Sequence, residues 1–514
     1  MSGGIVKESW KHSIGWRAVI SLGAGGLLGW PLAWLYEGEA WRGWLAGGFL
    51  LALSGFVLLS AWRWAGGGRT LAWMMIVAFG LRLGLGVGLS LALPVWGYPE
   101  EPQQAGYLFP DAYHRDGEAF ALAQSGERLL FNPGLSLASD QYGGLGLTSA
   151  VIYRFLSPDV HRPALVLILG SLFFTLGVPF LWRALHLRLN PRAAVIATWI
   201  FILYPDGIFF SASQMREPFL LGLGAVALWG VLAWQEYRRG AVAALTFALA
   251  AMLFFATRSA LFVAGALALL FWLEYTAGHS GRAWKWLGLA GLVVGALAAA
   301  LLTWGWFREA SVWDQVLTLR GSGRLAALMN DLGDRFRIPV ILGYGLAQPV
   351  LPAAIADPAL PLWKGIVLMR SLGWYSLAPL VVYAAFAAWK EDAAGRKRLV
   401  LWAVVMAVAW MGVAALRAGG DMTDNPRYRT LFLPQMALAA GWALDWALAH
   451  RDRWLGRWLL VEAIFLGFFT QWYFSRYFHL GGRLPLTTMI GIILILSAGV
   501  LGGGFILDRL RRSA

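Results

Sequence analysis

Apolar and polar positions alternate along this chain on the scale of whole helices. Fourteen apolar runs stand out: 14–36, 41–63, 70–96, 162–187, 192–212, 216–236, 240–257, 258–276, 284–307, 362–389, 398–416, 428–449, 456–477 and 484–508. Each reaches about 18 residues or more, the length an α-helix needs to cross the hydrocarbon of a bilayer. The pattern predicts an all-α, polytopic transmembrane bundle of about fourteen spans, with both ends of the chain on the inner side. The first run follows Lys7 and Lys11 and is succeeded almost at once by a second, so it reads as an anchor and not as a cleaved leader. No soluble domain is expected after the last run.

Most connections are short, but 97–161 and 308–361 are long. The first enters through Pro99, Pro102 and Pro110 and then shows helical period over 113–122 and 146–155, pieces too short to span and suited to lie in the interface. Tyr142-Gly143-Gly144 is the expected break between them. The second loop mixes amphipathic pieces, 313–319 and 325–336, with a tail punctuated by Pro349, Pro352, Pro358 and Pro361. The resulting division is a hairpin over 1–69, a central module over 70–450 and a second hairpin over 451–514.

Composition agrees with a membrane protein: 59% of the 514 residues are hydrophobic and only 14% charged, more apolar surface than one soluble core hides. Thirty Trp suit interfacial anchoring and 62 Gly suit close helix approach. The absence of Cys removes disulfides and thiolate metal sites. A net charge of +14 raises nucleic acid as a partner, but the basic residues are scattered through short loops without forming a stripe. With the N-terminus inside, about 22 of the 42 Lys and Arg and about 8 of the 28 Asp and Glu fall on the inner side, nearly the whole net charge. The outer side carries balanced charge, and acidic residues gathered there call for a second explanation.

Three polar islands supply candidates. In Pro110-Asp111-Ala112-Tyr113-His114-Arg115-Asp116-Gly117-Glu118, a carboxylate near an acceptor hydroxyl can take its proton as a general base. Asp111, Asp116 and Glu118 are the candidates, although Asp111 also suits an N-cap for a helix starting at Tyr113. In Ser211-Ala212-Ser213-Gln214-Met215-Arg216-Glu217-Pro218, Glu217 sits where a helix dipole favours an acid, while Arg216 runs against the charge bias of an outer turn. In Asp421–Arg429, Arg427, Tyr428 and Arg429 form a potential phosphate clamp, since guanidinium offers paired donors to phosphate oxygens. Interfacial snorkelling explains the same three residues more plainly. Arg258, Lys364 and Arg370 extend the cationic set, and Arg82 and Glu462 lie within spans, where a structural role is expected. There is no Walker A sequence, no HExxH and no paired His spacing. No cofactor is implied, and a divalent ion would have to use Asp111, Asp116 and Glu118, or Asp421 and Asp424.

Pro110-Asp111 followed by Phe120-Ala121, the Ser-rich turn ending in Arg216-Glu217-Pro218, and Arg427-Tyr428-Arg429 before Leu433-Pro434 together resemble the membrane-embedded GT-C glycosyltransferases. The likeness is to bacterial relatives of protein mannosyltransferases and aminoarabinose transferases, and covers the organisation of 70–450. It implies transfer of a sugar from a polyprenyl-phosphate donor to a glycan, lipid or protein acceptor at the outer face of the plasma membrane. Carried over, Asp111 or Asp116 is the acid that assists the acceptor, Glu217 lies by a sugar, and Arg427 and Arg429 hold the lipid phosphate. The chain departs from the pattern in lacking an Asp-Glu pair in the first loop and in placing two helices before the usual first one.

Two other classes compete. An O-antigen-type polymerase or ligase would use Arg320, Arg324, Arg335 and Arg337 of loop 308–361 on a polyprenyl-diphosphate glycan. A lipid or glycolipid transporter would need a hydrated path, against which the scarcity of charge within spans argues.

Overall fold

A computed structural model describes residues 3–129, 143–278, 281–321 and 333–513, and these contain helices and no strand. All fourteen apolar runs fall on helix. Among the described residues, nine helices are long and apolar enough to cross a membrane, and the count rises to 11 if each of two bent pairs is one span. The remaining runs differ for separate reasons. Glu217–Leu232 has only 16 residues, whereas Gly3–Ala33 and Arg453–Tyr477 are long but more polar.

The short helices of the first long loop run from Pro110–Gln124 and Gly143–Leu156. The earlier start matters, because Pro110 is pre-organised for the first helical position and Phe109 becomes the N-cap. Asp111 therefore lies inside the first turn. Of the expected break, Tyr142 is outside the described residues, while Gly143 and Gly144 open the second helix. Further on, 284–307 and 313–319 belong to one helix, Arg282–Gly321. The 325–336 piece lies largely outside the described residues and ends in a 3-10 turn, Asp334–Phe336.

The two bends are the main departure from unbroken spans. Pro191–Leu203 and Pro205–Ser211 meet at 47°, and Asp424–Thr430 and Leu433–His450 at 73°. Proline pushes the residue before it out of the helical region, and Tyr204 accordingly has φ −62° and ψ 120°. At the second bend Pro434 opens the next helix after Phe432 leaves helical geometry.

The chain packs as two compact units, 1–187 with 207–299, and 188–206 with 300–514. In the first, Glu217–Leu232 is buried along its whole length. Gly222 is required there, since a Cβ would run into the carbonyl of Phe173. Arg82 is fully buried and lays its guanidinium 3.3 Å from the ring centre of Phe174. Connections of like parity share an end of this unit. Arg183 donates to Trp64 O (3.0 Å) and to the Tyr237 hydroxyl (2.8 Å) at one end. At the other, Arg162 grips Asp159 through both oxygens (2.6 and 2.8 Å) and reaches Glu39 O (3.1 Å).

The second unit has the same parity. Asp445 accepts from Asn190 (2.7 Å), and Asp452 from Lys390 and the Tyr383 hydroxyl (both 3.0 Å). Its opposite end gathers the two bends. Gly441 lets Leu433–His450 approach Pro191–Leu203, since a Cβ there would stand 2.5 Å from Ala197 Cα.

Candidate functional site

In the first unit, Pro110–Gln124 buries Ala112, Arg115, Asp116, Ala119 and Ala123, a stripe at helical spacing. Asp116 lies on that stripe with 1% exposure, whereas Glu118 points to the exposed face and Asp111 is partly exposed. The three carboxylates of the densest polar segment thus diverge.

Three donors converge on Asp116. The Tyr107 hydroxyl donates to Oδ2 and the Tyr153 hydroxyl to Oδ1, each over 2.7 Å. Nε2 of His161 stands 3.0 Å from Oδ2. The imidazole is stacked on Phe120 (centroids 4.6 Å apart, 20° between planes) and meets Tyr153 edge-on at 4.8 Å. Burial, followed by the charge of Asp116, raises both the Tyr107 and Tyr153 phenols well above their ordinary range, so they remain protonated donors. Nearby, burial pushes the Tyr36 phenol up to about 12, and its oxygen accepts from Ala164 N–H at 3.1 Å. The hydrogen bonds from Arg162 pull Asp159 down to about 2.

The Ser-rich turn packs on the same helix, through Arg115 Nη1 and Met215 Sδ at 4.0 Å and through Phe109 stacked on Phe210 at 5.0 Å. Arg216 and Glu217 are both buried and form a loose ion pair, Nε to Oε1 3.7 Å. Arg258 is partly exposed in the first turn of Thr257–Gly278.

In the second unit the bends bring charge together. Asp206, fully buried, accepts from Arg370 Nε at 2.6 Å and from the Tyr204 hydroxyl at 3.1 Å, with Arg429 Nη2 3.6 Å away. Arg429 also donates to Gln348 O (2.8 Å) and stacks over Trp374, 3.4 Å from the ring centre. Arg370 donates its second bond to Met422 O at 2.9 Å. Arg429 is 1% exposed and Arg427 7%, with Arg427 Nη1 3.5 Å from Asp424 Oδ1. Tyr428 is partly exposed and edge-on to Trp306 at 5.8 Å. A cavity of about 540 Å³ in this unit is lined by Tyr344, Phe465, Phe469, Trp472, Tyr473 and Arg476, among others. Of the expected cationic loop, Arg335 and Arg337 are exposed and partly exposed. Arg324 and the side chain of Arg320 lie outside the described residues.

Among the described residues, no group of three or more His, Asp or Glu is arranged to hold a metal ion. Asp421 Oδ1 instead accepts from the Thr423 and Asp424 N–H groups, both at 2.6 Å, as a turn cap.

Sequence reasoning did not reach Tyr107, Tyr153, His161 or Asp206. A signal existed for the last, since a carboxylate inside the apolar run 192–212 needs a partner.

The helices and their buried ionic islands define a multi-pass membrane protein. No family model matches the chain, and no curated protein matches its sequence. Among solved structures it is similar to the archaeal oligosaccharyltransferase AglB from Archaeoglobus fulgidus, determined in complex with an inhibitory peptide and a dolichol-phosphate. Identity is 13% and the TM-score 0.36, over 86% of this chain. The chain spans 55% of the length of that protein.

Proposed function

We propose that the protein is a membrane glycosyltransferase that moves a sugar from a polyprenyl-phosphate donor to an acceptor hydroxyl at the extracytoplasmic face of the plasma membrane. The observation that carries this reading is Asp116, a carboxylate closed to solvent and gripped by two phenols and an imidazole in a protein otherwise built of spans. A buried charge is costly unless its hydrogen bonds are supplied and its position is used. Asp116 is favoured over Asp111 as the acid, because it is buried on the packed face of its helix with three side chains converging on its carboxylate. Glu217 with Arg216 is the second acidic candidate, with Glu118 and Arg258 at the margin of the substrate region. Arg427 and Tyr428 are the candidates for the lipid phosphate, while Arg429, already engaged with Asp206 and Trp374, shapes their island.

Mass spectrometry of the lipid that co-purifies with the protein tests the donor class. A polyprenyl monophosphate sugar supports the reading. A polyprenyl-diphosphate oligosaccharide replaces it with a polymerase or ligase, and transport of labelled lipid by the reconstituted protein without transfer chemistry overturns it.

A further inference from the structure

We propose that His161, and not Asp116 itself, is the group that takes the proton from the acceptor, and that Asp116 acts through it as a positioning residue. The identity of the reaction rests on the glycosyl-transfer reading above. The assignment of the dyad rests on geometry alone.

Both oxygens of Asp116 are engaged by phenols, and the side chain is 1% exposed, so a hydroxyl reaches it only by displacing a tyrosine. His161 is different, with 27% of its side chain exposed. Its ring is clamped by Phe120 on one face and by Tyr153 at its edge, which leaves little rotational freedom. A carboxylate only accepts, so Nε2 carries the hydrogen that points at Asp116 Oδ2, and in the neutral ring the lone pair then belongs to Nδ1. Nδ1 makes no hydrogen bond to any described residue. This is the arrangement in which a buried acid selects the tautomer of a histidine and steadies the imidazolium that forms. Among the described residues, the ionisable groups around the pair include Tyr107 and Tyr153 on Asp116, buried Arg115 whose charge acts on Tyr107, Tyr36 beside Ala164, and Asp159 with Arg162 in the same segment as His161.

In the step assigned to this dyad, the acceptor hydroxyl gives its proton to Nδ1 as its oxygen bonds to the anomeric carbon. The bond from that carbon to the phosphate oxygen breaks, and polyprenyl phosphate leaves with the electron pair. The imidazolium then loses its proton to water through the exposed side of the ring.

Two measurements on the full-length protein in liposomes test this. Diethyl pyrocarbonate acylates an unprotonated ring nitrogen and is read residue by residue by mass spectrometry. His161 is expected to be labelled, and Asp116→Asn to lower that labelling at least about fivefold, because an amide donor turns the ring to the other tautomer. Tyr153→Phe is expected to leave it unchanged. Transfer of radiolabelled hexose from undecaprenyl-phosphate-hexose to a membrane extract is expected to fall about 100-fold or more in His161→Ala, in kcat and not in KM, and to return when imidazole is added. Equal labelling of the wild type and Asp116→Asn, or undiminished transfer by His161→Ala, overturns the dyad. A wild-type protein that transfers nothing sinks the glycosyl-transfer reading, and the labelling comparison then decides the dyad alone.

Discussion

Nε of Arg370 donates to Oδ1 of Asp206 over 2.6 Å, and both side chains are closed to solvent. Removing one partner of such a pair leaves the other charge buried without compensation, which costs about 3–5 kcal/mol. Asp206→Ala is therefore expected to lower the thermal midpoint of the detergent-solubilised protein sharply. Asp206→Leu combined with Arg370→Met should recover part of the loss, and no recovery would show that the two residues act independently.

Tyr153 gives Asp116 a hydrogen bond that phenylalanine cannot. A buried hydrogen bond to a charged group contributes about 1.5–3 kcal/mol, and Tyr153→Phe should lose that much stability with the ring packing kept. Chemical denaturation of the two proteins in the same detergent measures the difference. Glu118→Gln, which alters an exposed residue of the helix that carries Asp116, should stay within about 0.5 kcal/mol on the same scale.

At Gly222 a single added methyl meets the carbonyl of Phe173. Backbone cannot yield there as a flexible side chain would, so Gly222→Ala should cost about 1–3 kcal/mol. The expected readout is a reduced yield of folded protein by fluorescence-detected gel filtration. Gly224→Ala, on the same helix with open space around it, is the matched control.

Asp159 is held at about 2 in the folded protein, below the roughly 3.9 of a free aspartate. A depressed acid stabilises the fold fully above its unfolded value and loses that contribution as pH falls through its folded value. The thermal advantage of the wild type over Asp159→Asn should be constant above about pH 4 and shrink from there towards pH 2. An advantage that grows on acidification would show that Arg162 is not what sets the behaviour of this loop.

The helices were legible because hydrophobic length is a local property, and every apolar run is helical. The bends were not, since Pro205 and Pro434 interrupt the backbone without interrupting the apolar pattern. Asp116 stood out as part of a dense charged segment. Its partners did not, because Tyr107, Tyr153 and His161 lie 9, 37 and 45 positions away and are joined to it only by folding. Arg429 shows the converse. Its neighbours in sequence suggest an open clamp, while Asp206, Gln348 and Trp374 close around it.

Arg82 lies within the helix Arg69–Trp96, its guanidinium against the face of Phe174 and its Nη1 bonded to Ala78 O at 3.2 Å. A permeating solute needs polar groups that water can reach, and this one is sealed by an aromatic ring and its own helix. Its charge is therefore withdrawn from water, and the helix Arg69–Trp96 must keep this face against Phe174 for the guanidinium to stay compensated.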